Sequence, residues 1–325
     1  MKNKNMTMWT LTLGLLLALG FTAGCNKSAD SGKQPKFVAV TNGDKIAYSN
    51  TGVKWKTAAL PEDNYWRSVC YGNGKFVAIA DGLMGSNKAA YSDDGINWFE
   101  ATLPVKAVWT SVCYGNNKFV AVAGDYFKNS NRIIYSNDGI NWKMSALPNK
   151  AYWVSVCYGN GRFVAVPSSD DTNDSNKAAY SDDGINWKTS VLPIKTIWAS
   201  VCYGNGKFVV VSEHNQAAYS DDGINWFETV LPEGVGGLTV CYGNGKFVTV
   251  AYEDNIAAYS NDGIEWKVTK MPSRANWVSV GYGAGKFVAI SSGNGEAAYS
   301  KDGVKWKAAR LPDYSSWSNV CYGGD

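Results

Sequence analysis

Histidine is almost missing from this chain: His214 is the only one among 325 residues. It stands in a loop stretch with no recognisable partner and reads as a surface residue. Arginine is scarce, with Arg67, Arg132, Arg162, Arg274 and Arg310 making up the whole set. A basic excess is missing too. Residues 1–24 carry two lysines and no acid, so the 31 basic residues fall to 29 against 28 acids once that segment is set aside. A near-neutral chain argues against nucleic acid as a partner, which would want a basic face. The apolar run from Leu11 to Phe21 is too short for a transmembrane helix. Helical periodicity is absent throughout, and no Pro-rich or Gly/Ser-rich joint divides the chain. One large all-β domain is what these absences leave.

What is present is repetition. The heptapeptide Ser181-Asp182-Asp183-Gly184-Ile185-Asn186-Trp187 recurs at Ser92–Trp98, Ser136–Trp142, Ser220–Trp226, Ser260–Trp266 and Ser300–Trp306, with a worn first copy at Ser49–Trp55. The closing tryptophans, Trp55, Trp98, Trp142, Trp187, Trp226, Trp266 and Trp306, fall 39 to 45 residues apart. A period of that size marks an array in which each repeat is one supersecondary unit.

One full repeat runs from Trp198 to Pro232. Trp198–Tyr203 is rich in β-favouring residues and reads as a first strand. Asn205-Gly206 supplies the positive φ angles of a tight hairpin. Lys207–Val211 is a continuous apolar run, which implies a second strand covered on both faces. Ala217–Ser220 is the third strand, Asp221-Asp222-Gly223 the next turn, and Asn225–Leu231 the fourth strand before Pro232. Four short antiparallel strands per repeat predict the blades of a β-propeller. The first copy begins at a second strand, Lys36–Val40, and the chain ends with an orphan first strand, Trp317–Tyr322. The expected fold is therefore an all-β, seven-bladed propeller of four-stranded antiparallel blades over residues 35–325. Its ring is closed by the C-terminal strand joining the N-terminal blade, which removes exposed edges.

The Ser-x-Asp-Gly-Ile/Val-x-Trp turn has a plain physical job: Asp and Ser bond nearby amides, Gly takes the left-handed conformation, and the indole packs between blades. It resembles the Asp-box, or BNR repeat, of the sialidase-like propellers, with the Asp one residue closer to the Gly than usual and absent from the first copy. The likeness runs from Phe37 to the C-terminus. It implies that Asp94, Asp138, Asp183, Asp222, Asp262 and Asp302, together with the seven closing tryptophans, are structural and lie away from any active site. Sialidases hold their substrate carboxylate with three arginines and carry a Phe/Tyr-Arg-Ile-Pro pattern, which this chain lacks. The Asp182-Asp183-Gly184 turn also lacks the length of an EF-hand loop, and nothing in the pattern calls for a metal or a cofactor.

Six of the seven cysteines, Cys70, Cys113, Cys157, Cys202, Cys241 and Cys321, occupy one slot of the repeat, where Gly281 stands in the seventh copy. Equivalent positions in a radial array are expected to lie beyond the ~7 Å that a disulfide spans, so these read as buried free thiols. The remaining one, Cys25, follows Thr22-Ala23-Gly24 after a basic start and a short apolar core. That arrangement describes a secretory signal and resembles the bacterial lipobox, with Thr22 where Leu is usual. The resemblance implies a signal peptide over residues 1–24 and lipidation of Cys25. A polar tether at residues 26–34 follows, and the protein is exported to the cell envelope with a membrane as one partner.

The antiparallel order puts the two kinds of tight turn on one face and the variable loops and crossings on the other. Binding residues concentrate on variable loops carried by a rigid scaffold. Asp81, Asp125 and Tyr126, on two of the longer loops, are candidate ligand contacts. A second aromatic series, Trp66, Trp109, Trp153, Trp198, Trp277 and Trp317, lies four residues before the cysteine slot. It reads either as packing repeated by duplication or as an aromatic lining for sugar rings or peptide side chains. Gly237 replaces the tryptophan once, which predicts a notch beside Val235 and Leu238. The Ser168–Asp174 loop is oxygen-rich enough to raise calcium as a further reading. The main expectation is a monomeric, non-catalytic propeller recognising a glycan or a protein. The competing one is a glycoside hydrolase using an unmarked pair of loop carboxylates, and a purely structural envelope spacer is a third.

Overall fold

The computed structural model describes residues 36–82, 84–124, 130–168, 176–252 and 254–324, and every regular element among them is a β-strand. In the repeat dissected above the strands are Trp198–Gly204, Lys207–Ser212, Gln216–Ser220 and Phe227–Val230, paired antiparallel in chain order. The hairpin joining the first two has Asn205 at φ 46° and Gly206 at φ 77°, the left-handed pair whose twist matches that of its strands. The fourth strand starts two residues later than the sequence suggests. Asn225 and Trp226 belong to the preceding turn, where Asp222 holds the Asn225 amide.

The same four-stranded sheet recurs from Trp153 to Val191, from Gly237 to Ala275 and from Trp277 to Arg310. Nearer the N-terminus the sheets run together. Lys56–Gly72 and Phe99–Gly115 each continue from the fourth strand of one repeat through the crossing into the first strand of the next. The crossings are drawn into the ladder by the loop opposite, as in Asn42↔Tyr65, Gly43↔Asn64 and Ser86↔Ala107. The C-terminal strand Trp317–Gly323 supplies the missing partner of the N-terminal strand, with Lys36↔Gly323, Phe37↔Tyr322 and Val38↔Cys321 in register. Both chain ends of the described array are thus buried in one sheet.

Most of the core lies between repeats. Val164, Val166 and Ala178 of one repeat enclose Trp198, Val201, Phe208 and Trp226 of the next in one cluster. At the closure Val288 and Ile290 meet Phe37, Ala39 and Trp317. Burying such side chains is worth roughly 1.5–3 kcal/mol each, so a repeat cut from its neighbours loses most of its stabilisation.

Most innermost strands carry Ser-Val-Cys-Tyr-Gly, with Thr239, Gly281 and Asn319 as departures, and the structure accounts for the serine and the glycine. The serine accepts a hydrogen bond from the next repeat's valine amide, as in Val112 N to Ser68 Oγ, Val156 N to Ser111 Oγ and Val201 N to Ser155 Oγ, each 3.2 Å. That amide lies on the free edge of an inner strand and would otherwise be orphaned. At the closure Asn319 takes over, accepting from Val69 N at 2.9 Å and donating to Ser279 Oγ at 3.1 Å. The glycine is flat because the next tyrosine lies on it: a Cβ on Gly204 would stand 2.0 Å from Tyr242 Cγ. The contact passes from Gly72 against Tyr114 round to Gly283 against Tyr322, and Gly323 returns it to Tyr71. The six cysteines of these strands form no disulfide. They are partly exposed rather than wholly buried, because each sits on an innermost strand between consecutive repeats. Burial of the sulfur still pushes the Cys113, Cys241 and Cys321 thiols well above their ordinary value.

Candidate functional site

The two faces of the array use their side chains in opposite ways. On the turn face each Ser-x-Asp-Gly stretch satisfies itself. In the fifth copy Ser220 Oγ accepts from the Gly223 amide at 2.8 Å, and Asp222 Oδ1 accepts from the Ile224 and Asn225 amides at 2.8 Å each. Asn225 Nδ2 donates to Asp222 Oδ2, also at 2.8 Å. Gly223 must be glycine, since φ is +72° and a Cβ would meet Val164 Cγ2 at 2.7 Å. Burial raises the Asp222 carboxyl, but the amide and side-chain donors outweigh it and bring the group down to about 2. Asp94, Asp138, Asp183, Asp262 and Asp302 are held below the ordinary carboxylate value in the same way, against the same opposing effect of burial. In the worn copy Ser49 Oγ still accepts from Gly52 N at 2.9 Å, while Thr51 Oγ1 makes a 3.3 Å contact with the Val53 amide in place of the missing Asp.

Each of these carboxylates accepts two backbone amides and the serine hydroxyl of its own turn through Oδ1, and the closing indoles pack inward. Trp98, Trp142 and Trp226 are each 9% exposed, and Trp187 lies 6.4 Å from the Phe163 ring. Adjacent turns are tied together on this face. Asn205 Nδ2 donates to Asn261 O at 3.2 Å, and Arg162 bonds Asp182 Oδ1 through Nε at 2.8 Å while stacking over Tyr180. Arg162 is therefore a turn clamp. Among the described residues no three His, Cys, Asp or Glu side chains converge as metal ligands do.

The opposite face is made by the loops and crossings, held together by single backbone bonds such as Asp81 N to Tyr65 O, Ser168 N to Tyr152 O and Glu213 N to Ile197 O. Trp66, Trp109, Trp153, Trp198, Trp277 and Trp317 lie beneath this face and are at most 1% exposed. The expectation of an aromatic lining is corrected here. The indoles fill the space between repeats, and several brace the loops above, as Trp109 Nε1 does by donating to Ser86 O at 3.1 Å. No ligand can stack on them. Asp81 is half-buried on its loop. Asp125, Tyr126 and Cys25, together with most of the Ser168–Asp174 loop, lie outside the described residues. His214 is exposed, as its sequence context suggests.

Other side chains reach the solvent there. Tyr65 is 39% exposed, Met84 90%, Tyr252 49% and Tyr314 75%. The repeat pattern names none of them, because these positions vary from copy to copy; their apolar bulk within polar loops is the signal that could have found them. Several loop acids are already engaged. Asp313 pairs with Lys45 at 3.1 Å and accepts from the Ser315 amide. Glu62 pairs with Lys88 at 2.9 Å, and Glu296 accepts from Ser273. The notch expected at Gly237 coincides with a cleft of about 290 Å³, lined by Glu213, Gly234, Gly236, Leu238, Ala251 and Tyr252. Among the described residues its lining includes one acidic residue, Glu213, whereas two-carboxylate glycoside hydrolysis needs a pair.

No protein-family model and no curated protein sequence matches the chain. Its shape is similar to that of a streptogramin B lyase at 13% identity, over 88% of this chain and 91% of that one, with a TM-score of 0.69. It is also similar to virginiamycin B lyase from Staphylococcus aureus, at 15% identity over 78% and 86% of the two chains, TM-score 0.67. YCF48, solved bound to D1 peptide, matches at 15% identity over 77% and 82%, TM-score 0.57. These neighbours are β-propellers, and at such identities the likeness shows the fold alone.

Proposed function

We propose that the chain is a seven-bladed propeller of the Asp-box type that works without chemistry, binding a protein partner on its loop face. The unbroken Gly–Tyr circuit from Gly72 to Tyr71 supports seven blades. One observation carries the functional reading: the loop face leaves Tyr65, Met84, Tyr252 and Tyr314 exposed, while the turn face spends its polar groups on itself. Tyr and Met are the residue types enriched at protein–protein interfaces. A neighbour of the same fold bound to a peptide supports the reading, and the two lyases show that the fold also hosts enzymes. The exposed tyrosine rings favour glycan stacking as the second reading.

The protein is exported and monomeric, and Cys25 carries lipid. The array begins and ends at paired Lys36 and Gly323, next to the turn face. Residues 26–325 should be compared with a variant carrying Tyr65→Ser, Met84→Ser, Tyr252→Ser and Tyr314→Ser, by cross-linking on intact cells and on a glycan array. Loss of the cross-linked species in the loop-face variant alone is the expected result. Equal cross-linking by both proteins, or array signals untouched by the substitutions, would overturn it. Labelled palmitate should enter the native protein and not Cys25→Ala.

A further inference from the structure

The array departs from its own pattern at one inner-strand start. Six repeats place a buried tryptophan there, and the sixth has Gly237. The cluster between the fifth and sixth repeats has Val209, Val211, Leu231, Val235 and Phe247, and no indole from that position. Val235, from the crossing itself, has moved in and is 1% exposed. The crossing has sunk with it. A Cβ on Gly237 would meet Thr249 Oγ1 at 2.7 Å and Val211 Cβ at 3.0 Å, and one on Gly236 would stand 2.2 Å from Glu213 O. Only glycines let the backbone lie this low, and the space they vacate is the cleft described above.

We infer that this cleft is the seat of an arginine side chain presented by the protein partner, an inference that rests on the loop-face reading and names one contact within it. Glu213 lines the cleft and is exposed, and its carboxylate has no hydrogen-bond or ion-pair partner among the described residues. Tyr252 lines the same cleft with its ring half-exposed. A carboxylate beside an exposed aromatic ring is the pair that a guanidinium satisfies at once, bidentate to the acid and stacked on the ring. Leu238 and Ala251 offer apolar wall to the methylene stem. Small-molecule pockets run from about 300 to 1,000 Å³, and a cleft of about 290 Å³, at the lower end of that range, has room for one long side chain. A lysine would keep the charge contact and lose the bidentate geometry and the stacking.

The test is a titration of residues 26–325 with N-acetyl-arginine amide, read by the backbone amide shifts of Gly234, Gly236 and Tyr252. N-acetyl-citrulline amide serves as the neutral isostere and N-acetyl-lysine amide as the weaker cation. Saturable shifts confined to these amides are expected for the arginine probe, at least tenfold weaker binding for lysine, and none for citrulline. Glu213→Gln should weaken arginine binding at least tenfold and Tyr252→Leu severalfold. Both residues are solvent-facing, and unchanged shifts elsewhere in the spectrum confirm the fold. Equal binding of citrulline, unchanged affinity in Glu213→Gln, or the absence of saturable shifts would each overturn the inference. If the four-serine variant loses its cross-linked partner while Glu213→Gln binds arginine like the native chain, the loop-face reading stands and the cleft assignment fails.

Discussion

Replacing Thr249 by valine should make this protein more stable, although the substitution removes a polar group. Thr249 is completely buried, and its Oγ1 has no hydrogen-bond partner among the described residues. It pairs with Val240 on one side and Ala258 on the other. In the other repeats the residue at this register is Ala39, Ala78, Ala121, Ala165, Val210 or Ala289. A buried hydroxyl without a partner costs about 1–3 kcal/mol of desolvation. Valine keeps the β-branched shape that suits a strand and exchanges the hydroxyl for a methyl. We expect a gain of about 1–2 kcal/mol on these grounds. It should be read by urea unfolding as a higher midpoint with an unchanged slope, since a change in slope would mean that the denatured state had shifted instead. Thr249→Ala offers a second arm. The Cβ of Gly237→Ala strikes Thr249 Oγ1, an overpacking worth about 1–3 kcal/mol. That cost should fall when Thr249 is alanine, giving a coupling of about 0.5 kcal/mol or more. A Thr249→Val protein less stable than the native chain by 1 kcal/mol or more, at constant slope, would show that the hydroxyl is bonded in the native state, as by a buried water, and would refute the reasoning.

The turn carboxylates predict a one-sided pH dependence. Their folded values lie below the ordinary aspartate value, with Asp222 at about 2, so they contribute stability that is fully present above an unfolded value of about 3.9. It is lost as pH falls through the folded values. The urea midpoint should be level above pH 5 and drop steeply between about pH 4 and 2, and Asp222→Asn should flatten part of that drop while lowering the midpoint at pH 7; an identical profile for the variant would count against the turn geometry. The thiols give the other prediction. Burial keeps Cys70, Cys113, Cys157, Cys202, Cys241 and Cys321 protonated, so iodoacetamide at pH 8 should modify them slowly in the folded protein. All six should react once the protein is denatured without reductant, and a disulfide-linked pair in the mass spectrum would break the radial placement of the repeats.

Much of the architecture is written in the order of residues. Asn205-Gly206 dictates a tight hairpin because both residues accept positive φ, and the unbroken apolar run Lys207–Val211 can only be a strand covered on both sides. The orphan first strand at Trp317 announced its partner, and the register Phe37↔Tyr322 supplies it. The notch at Gly237 was legible as well, since a repeat shows its exceptions by comparison with its neighbours. The two tryptophan series were legible only as residue types. Trp226 and Trp198 carry the same chemistry, and neither burial nor exposure follows from a spacing. Whether an indole faces a ligand or a neighbouring repeat depends on how two sheets meet.

Local pattern alone therefore determined the strands, the turns, their period and the closure of the array, because backbone conformation and alternation act over a few residues. The tertiary structure decided everything that depends on the gap between repeats. It turned Ser155 into the acceptor for the Val201 amide, pressed Tyr242 onto Gly204, sealed the tryptophans and left Tyr65, Met84, Tyr252 and Tyr314 in solvent. Those partners stand some 40 residues apart in sequence, and only the packing of one sheet on the next brings them within contact distance.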